Sequence, residues 1–339
     1  MEQLADKIGK VRVFSMTVVI VGILASIAVP VFGFSVFALM AAFVVFNWVF
    51  ELSQSVYDSF LVDLSDSRQE TTDISSFAWG FGYLGGAVFA ALYFGMNEFG
   101  IAPDQMLTIF GVLFLLVSVP AMLFFSRTKL KSQIQETVPN LSDIADVTNP
   151  VPWIDIFIYW VIADTVAAIL YFAPIYLRAE LELSTAIIGG ILLVGQLVAF
   201  PATILMGRLA GRVGRIKAIR LGLAIWTVGL VGLFMASTLA HVVVVFLILS
   251  LVVGSTQALL RAHFADRVEP HRSAEGLGFF AIAQKSASVL APLLVVAATL
   301  ATGSIGPAFI VLAVLLVAAF MLAGRLDDNN PNHATGAKS

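Results

Sequence analysis

The sequence predicts an all-α membrane protein with two similar halves, and three observations carry this prediction. Hydrophobic residues make up 59% of the 339 residues and charged residues only 12%, whereas soluble domains average about 45–50% and about 25%. Apolar runs of about 20 residues recur along the chain, each long enough as a helix to cross a ~30 Å hydrocarbon layer. A short basic loop with a central glycine occurs twice, at residues 4–12 and 209–217.

The apolar runs predict ten membrane-spanning helices. They fall at 13–34, 36–57, 75–95, 105–126, 152–177, 186–206, 219–238, 242–262, 276–300 and 305–324. The first run is too long for the apolar region of a signal peptide, and we interpret it as a retained helix.

The positive charges predict the direction of these helices. Seventeen of the 19 basic residues fall on one side of the ten spans, in loops or at span ends. The opposite side has only Arg178, and Lys285 lies inside the ninth span. Because cytoplasmic loops are enriched in Lys and Arg, we expect both termini to be cytoplasmic in a multi-pass protein of the plasma membrane.

The domain organisation follows from the same pattern. We expect a partial N-terminal bundle at 1–126, a cytoplasmic connector at 127–151, a six-helix bundle at 152–325 and a disordered tail at 326–339. The connector is the longest polar stretch between spans, and the tail is rich in Asp and Asn.

Composition excludes several classes of function. The net charge of −3 and the lack of a basic face argue against a nucleic-acid partner. There is no cysteine, and the four histidines lack metal-ligand spacing, so we expect no metal site. No phosphate-binding loop and no nucleophile–base set stands out. We therefore expect that the protein is not an enzyme and binds no cofactor. The expected partners are the lipid bilayer, a small polar solute and protons.

The two basic loops resemble the loop motif of the major facilitator superfamily, a pattern of Gly-x-x-x-Asp-(Arg/Lys)-x-Gly-(Arg/Lys). The matching residues are Asp6, Lys7, Gly9, Lys10 and Arg12 in the first copy, and Gly207, Arg212, Gly214 and Arg215 in the second. The copies depart from the pattern at Glu2, where the glycine belongs, and at Gly211, where the aspartate belongs. The resemblance implies a secondary transporter built from two helical bundles.

A narrower resemblance is to the vacuole-effluxer (autophagy-related) branch of that superfamily. It rests on Tyr-Asp-Ser-Phe-Leu at 57–61, on the Gly-rich stretch at 74–86 and on segments at 278–280, 284–286 and 291–294. The fungal members of that branch are associated with amino-acid export. The resemblance also implies that the ten spans correspond to family helices 3 to 12, with helices 1 and 2 absent.

Polar residues inside the spans are candidates for a transport cavity, because such residues usually face a bundle interior or a wet cavity. Asn47, Glu51 and Gln54 share one stripe of the second span, and Gln257 lies in the similar eighth span. The alternative is that the charged groups at the ends of these spans are interfacial anchors.

Asp164 lies near the middle of the fifth span, with Trp160 and Tyr171 on its side of the helix. It is a candidate for proton coupling or for binding a cationic group of the substrate. The alternative is a structural ion pair with Lys285, the one basic residue that we place within the membrane.

Glycines predict close packing between helices. Gly82 and Gly86 form a GxxxG pattern in the third span, and Gly189 and Gly190 lie in the sixth. The resemblance places these spans at the interface of the two bundles, where the glycines would serve sliding or simple packing.

Together these features predict a secondary active transporter of a small polar solute, such as an amino acid, that works by alternating access with proton coupling. The alternative is a truncated, non-transporting membrane paralogue or a partner subunit.

Overall fold

The computed structural model describes residues 9–32, 36–128, 153–268 and 289–326, together with 273, 276–278 and 280–281. In these residues the chain forms eleven α-helices and one short 3₁₀ helix, Ala323–Arg325. The α-helices are α1 Lys10–Phe32, α2 Val36–Leu64, α3 Arg68–Glu98, α4 Pro103–Arg127, α5 Trp153–Ala179, α6 Thr185–Val213, α7 Arg215–Phe234, α8 Leu239–Ser250, α9 Val253–Ala265, α10 Leu290–Thr302 and α11 Gly306–Leu322.

The all-helical membrane fold is confirmed. Seven stretches of the described residues are long and apolar enough to cross a membrane, and the count of ten stays a prediction. The seven are Arg68–Glu98, Gln105–Arg127, Phe157–Ala179, Thr185–Val213, Arg215–Phe234, Leu239–Ala265 and Gly306–Arg325.

The predicted eighth span, 242–262, is interrupted in the middle of the stretch. The N–H of Leu251 donates to the carbonyl of Ile248, and the N–H of Val252 donates to that of Leu249. These are tight 3₁₀-type bonds, which end α8 before the chain starts again as α9. No proline marks the site, so the interruption has no obvious sequence signal.

The chain folds into two compact units that exchange segments of sequence. Unit 1 is Met1–Leu64, Val88–Asp146 and Val268–Ala281. Unit 2 is Ser65–Ala87, Val147–Arg267 and Ile282–Ser339. A segment of the first half of the sequence therefore packs in unit 2, and a segment of the second half packs in unit 1. The predicted boundary at 127–151 divides the sequence differently and stays a prediction.

An aromatic cluster fixes the start of α1 against the end of α2 in unit 1. Phe14, Phe60 and Phe125 are buried together, and the rings of Phe60 and Phe125 stack with centroids 3.9 Å apart. Lys10 lies one turn before Phe14 and Asp63 lies three residues after Phe60. The cluster therefore brings these two polar residues to the same place.

A leucine-rich stripe has the corresponding role in unit 2. Ile219, Leu223, Trp226 and Leu230 recur at helical spacing on α7 and are fully buried. Arg215 precedes Ile219 by one turn, as Lys10 precedes Phe14. Each basic residue is thus held at the first turn of a helix whose next turns are anchored in a core.

Candidate functional site

The first cluster lies at the start of α1 in unit 1. Gly9 has a φ of +106°, a conformation that favours glycine, and α1 begins at the next residue. The Lys10 ammonium lies 2.7 Å from a carboxylate oxygen of Asp63, and both side chains are at most 2% exposed. Lys10 also donates a hydrogen bond to the hydroxyl of Ser273.

The second cluster lies at the start of α7 in unit 2. Gly214 has a φ of +94°, and Arg215 follows it as the first helical residue. Arg215 Nη1 lies 2.7 Å from Asp266 Oδ2. The same guanidinium donates from Nε to Thr72 Oγ1 at 3.0 Å and from Nη2 to the carbonyl of Arg68 at 2.7 Å.

The two clusters correspond position by position. Lys10 and Arg215 are 205 residues apart, and Asp63 and Asp266 are 203 apart. Each cation binds the acid of its own sequence half and then reaches a residue of the other half. Lys10 reaches Ser273, and Arg215 reaches Arg68 and Thr72; Ser273 and Arg68 are again 205 apart. The repeat therefore includes the contacts as well as the residues.

Burial makes these contacts energetically important. Taking a charged group out of water costs several kcal/mol unless the charge is paired and its donors are satisfied. Both cations meet this requirement through a carboxylate plus further oxygen acceptors. Separating the two halves at these points therefore requires water to replace the lost partners.

A third link involves Arg261, which lies on α9 at the end of the predicted eighth span. Its Nε donates to Ser75 Oγ at 3.0 Å and its Nη2 donates to the Ser75 carbonyl at 3.1 Å. Its guanidinium carbon lies 5.7 Å from the ring centre of Trp79. Ser75 in turn donates to the carbonyl of Ala258 at 2.7 Å. This network attaches α3, from the first half, to α9, from the second.

Glycines allow α3 and α6 to approach closely. A Cβ added at Gly207 would lie 2.6 Å from the Cβ of Ser76, and one at Gly80 would lie 3.1 Å from the Phe200 carbonyl. The side chain of Gln196 occupies the space beside Gly86. The second loop copy therefore needs a glycine at position 207, because a larger residue would overlap Ser76.

The four glycines chosen from sequence differ in their surroundings. Gly86 is in close contact, as described, whereas a Cβ at Gly82 or Gly190 would meet no atom within 4 Å. Gly189 lies in α6 and is half-buried. Gly82 and Gly190 face open space. In this structure the close approach of α3 and α6 therefore involves Gly80 and Gly207 instead.

Asp164 of α5 is buried and binds the N-terminus of α10. Its Oδ1 accepts the N–H of Val289 at 3.1 Å, and its Oδ2 accepts that of Ala291 at 2.6 Å. A carboxylate at this position satisfies amide groups that have no partner within the helix, and it lies at the positive end of the helix dipole. Trp160 is half-buried, whereas Tyr171 is 65% exposed and does not share the buried environment of Asp164.

The remaining candidates are distributed along several helices. Asn47 donates to the Phe43 carbonyl within α2 at 2.8 Å, and Glu51 and Gln54 are half-buried on the same helix. Gln257 is buried in α9. Arg12 and Arg212 are exposed, and Asp6, Lys7 and Lys285 lie outside the described residues. A cavity role for the polar residues of the spans stays a prediction, and so does a gating role for the residues of the loop motif.

The described part of the chain contains no group of three His, Asp or Glu side chains that could hold a metal ion. Asp63 and Asp266, the partners of the two cations, were not selected from sequence. A signal was present, since they follow Phe60 and Phe264 by three and two residues in the repeated ends of the second and eighth spans.

Comparison with known proteins identifies relatives along the whole chain. The sequence pattern of the Major Facilitator Superfamily matches residues 1–292 and again 156–338. A Bacillus subtilis (strain 168) protein described as the uncharacterized MFS-type transporter YxiO is 24% identical over 277 residues, which cover 77% of this chain. The chain spans 64% of the length of that relative.

Solved structures show the same fold. The human organic anion transporter MFSD10 (TETRAN) superposes with a TM-score of 0.78 at 14% identity, covering 95% of this chain and 79% of that chain. A variant of the Escherichia coli fucose:proton symporter FucP superposes with a TM-score of 0.74 at 13% identity, covering 97% and 86%. At these identities the likeness concerns the fold alone.

Proposed function

This chain belongs to the Major Facilitator Superfamily, and from that premise we propose that it is a secondary transporter of a small polar solute working by alternating access. The observation that carries the proposal is the repeated pair of buried cation clusters, Lys10–Asp63 and Arg215–Asp266. Each cluster joins an element of the first sequence half to one of the second. Such contacts are what a two-bundle transporter must form and break at one end during its cycle.

The clusters act as latches in this proposal. When a latch opens, the cation loses its hydrogen bonds to the other sequence half and meets water, so hydration offsets part of the lost energy. When it closes, the pairs are buried again. A bound solute can shift an equilibrium between two states only if their free energies differ by a few kcal/mol. Contacts that water can replace keep the difference this small.

The orientation is part of the proposal. The basic loops carry most of the positive charge of the chain, and positive loops stay in the cytoplasm. We place the latches at the cytoplasmic end of a plasma-membrane protein, with both termini on that side.

A labelling experiment tests the latch, and the absence of cysteine makes the background clean. Ser76 is buried, and its hydroxyl has no hydrogen-bond partner among the described residues, so Ser76→Cys removes no hydrogen bond. In the Ser76→Cys background we expect Arg215→Ala to raise the rate of labelling by a membrane-impermeant maleimide about tenfold, an opening shift of ~1.4 kcal/mol. Lys217→Ala, an exposed change on the same helix, is the control. Equal rates in both variants would contradict the latch.

A transport assay tests the activity itself. Purified protein in liposomes is offered radiolabelled amino acids, which the vacuole-effluxer resemblance favours, together with fucose and organic anions, the solutes in the names of the similar structures. We expect saturable counterflow of at least one solute and its loss in Arg215→Ala. If no solute moves faster than in protein-free liposomes, the proposal of transport fails.

Proton coupling is a subsidiary part of the proposal, and the geometry favours Glu51 over Asp164. Both oxygens of Asp164 accept backbone N–H groups, so a proton would compete with the cap of α10. Glu51 is half-buried in α2. We expect Glu51→Gln to abolish stimulation of transport by a pH gradient, while Asp164→Asn keeps it. The reverse pattern would assign coupling to Asp164.

A further inference from the structure

Arg220 of α7 makes fewer polar contacts with the described residues than a partly buried guanidinium needs. Its guanidinium carbon lies 4.4 Å from the ring centre of Phe320 on α11. Its Nε is buried, and this atom has no hydrogen-bond partner among the described residues. Arg215, five residues earlier on the same helix, donates to three different acceptors. The contrast leaves Arg220 as a cation without an anionic partner among the described residues.

Gly324 brings a stretch of backbone without a side chain next to the guanidinium of Arg220. A Cβ built on Gly324 would lie 3.8 Å from Arg220 Nη1 and 3.9 Å from its Cζ. Any polar side chain at position 324 would therefore reach the guanidinium, and glycine supplies none. The guanidinium also lies near the C-terminus of α11, whose carbonyls attract a cation. If this attraction were the whole role of Arg220, its guanidinium would donate hydrogen bonds to the last carbonyls of α11. Among the described residues, Arg220 donates no such bond.

Two further cations belong to the same end of unit 2. Lys217 precedes Arg220 by three residues and so lies on a neighbouring position of α7. Arg325 follows Gly324 in the 3₁₀ helix. Both are exposed, and neither forms an ion pair with a described residue. Three positive side chains without a carboxylate partner among the described residues therefore belong to this end of α7 and α11.

Exposed apolar side chains continue from these cations along both helices. Each set recurs at intervals of three, four or seven residues, which places its members on one face. The residues are Leu221, Val228 and Val231 on α7, and Val314, Val317 and Met321 on α11. A cationic end followed by apolar faces matches a molecule with an anionic head and hydrocarbon tails.

We propose that Arg220, Lys217 and Arg325 form a binding site for the phosphate headgroup of an anionic membrane lipid, whose acyl chains lie along the apolar faces of α7 and α11. Phosphate oxygens match the donor fork of a guanidinium, and basic pockets near the membrane surface select anionic lipids. The site is separate from the latches and does not depend on transport.

Native mass spectrometry of the detergent-purified protein tests the site by titration with phosphatidylglycerol and with phosphatidylcholine. We expect the first phosphatidylglycerol to bind wild type at least tenfold more tightly than phosphatidylcholine. Arg220→Gln is expected to weaken the binding of phosphatidylglycerol about tenfold, because one charge-assisted contact is lost. Gly324→Asp places a carboxylate against the guanidinium and should cause a similar loss, whereas Gly324→Ser should not. The double variant Arg220→Gln/Gly324→Asp should bind phosphatidylglycerol no more weakly than Gly324→Asp alone.

Three results would overturn the proposal. One is equal affinity for the two lipids, which indicates only the ordinary lipid belt. Another is unchanged phosphatidylglycerol affinity in Gly324→Asp, even if Arg220→Gln fails to fold. Asp327 and Asp328 follow in the sequence, and a tail that neutralised the cations would give this result. The last is displacement of the lipid by millimolar inorganic phosphate, which would mark a site for a free anion.

Discussion

The two copies of the basic loop differ in how they use the same geometry. Both have a glycine of positive φ, a cation at the first turn of a helix and a carboxylate 2.7 Å away. Lys10 reaches the other half of the sequence through one hydroxyl, whereas Arg215 reaches it through a hydroxyl and a carbonyl. The ion pair is therefore the shared part, and the strength of the contact between halves differs. Arginine suits the second role because its fork serves three acceptors at once.

The largest expected effect on stability distinguishes the carboxylate of the first copy, Asp63, from that of the second, Asp266. Asp63→Ala should lower the free energy of unfolding by about 3–5 kcal/mol, because it leaves a buried ammonium without its counter-charge. Asp266→Ala should cost about half as much, since Arg215 keeps Thr72 and the Arg68 carbonyl. Denaturant unfolding in mixed micelles measures both, with the exposed Glu98→Ala as control. An equal or reversed order would remove the distinction between the two copies.

A smaller effect tests a requirement found in the second copy alone. Gly207→Ala should destabilise by about 1–3 kcal/mol, because the new methyl group overlaps Ser76. Adding Ser76→Gly should restore most of the loss. Gly190→Ala on the same helix has open space and should be neutral or slightly stabilising. Thermal unfolding of the three variants tests this, and a failure of Ser76→Gly to rescue would locate the strain elsewhere.

The two glycines at the helix starts should behave alike. Gly9→Ala and Gly214→Ala each force a Cβ into a backbone conformation that L-residues rarely adopt, at a cost of about 1–2 kcal/mol. Because the sites are in different units, the double variant should lose the sum. Melting temperatures of the two single variants that differ by several degrees would show that the backbone geometry is not equivalent.

The smallest effect concerns the contacts that join the two sequence halves. Thr72→Val removes one of three acceptors of Arg215 and should cost about 1 kcal/mol. It should also raise maleimide labelling in the Ser76→Cys background, but less than Arg215→Ala does. Ser273→Ala is the matching change in the first copy. Labelling of Thr72→Val as fast as that of Arg215→Ala would mean that the hydroxyl accounts for the whole latch.

Local features of this fold could be predicted from sequence, and contacts between distant segments could not. Composition and apolar runs predicted a helical membrane protein, and the spans predicted at 13–34 and 219–238 fall on α1 and α7, which begin three and four residues earlier. Those signals depend on a few consecutive residues. The partners Asp63 and Asp266 come from other helices, and only the repeat spacing connects them with the loops.

Asp164 illustrates why contacts between distant segments could not be predicted from the sequence. The sequence presented Lys285 as a possible partner, because charge complementarity is visible in residue types. The structure shows the carboxylate bound to backbone N–H groups of Val289 and Ala291. Almost every residue has such a group, so this kind of partner leaves no mark in the sequence. The start of α10 depends on the arrangement of helices around it.

The exchange of segments between the two units has a consequence for biosynthesis. Residues 65–87 pack with partners that the ribosome adds much later, and unit 1 takes up residues 268–281 long after its other residues have been translated. Helices that enter the bilayer first must therefore wait, incompletely packed, for most of the polypeptide to emerge. During that interval the nascent chain exposes glycine-rich and charged surfaces to lipid and to insertion machinery. Premature termination before residue 268 would leave both units unfinished.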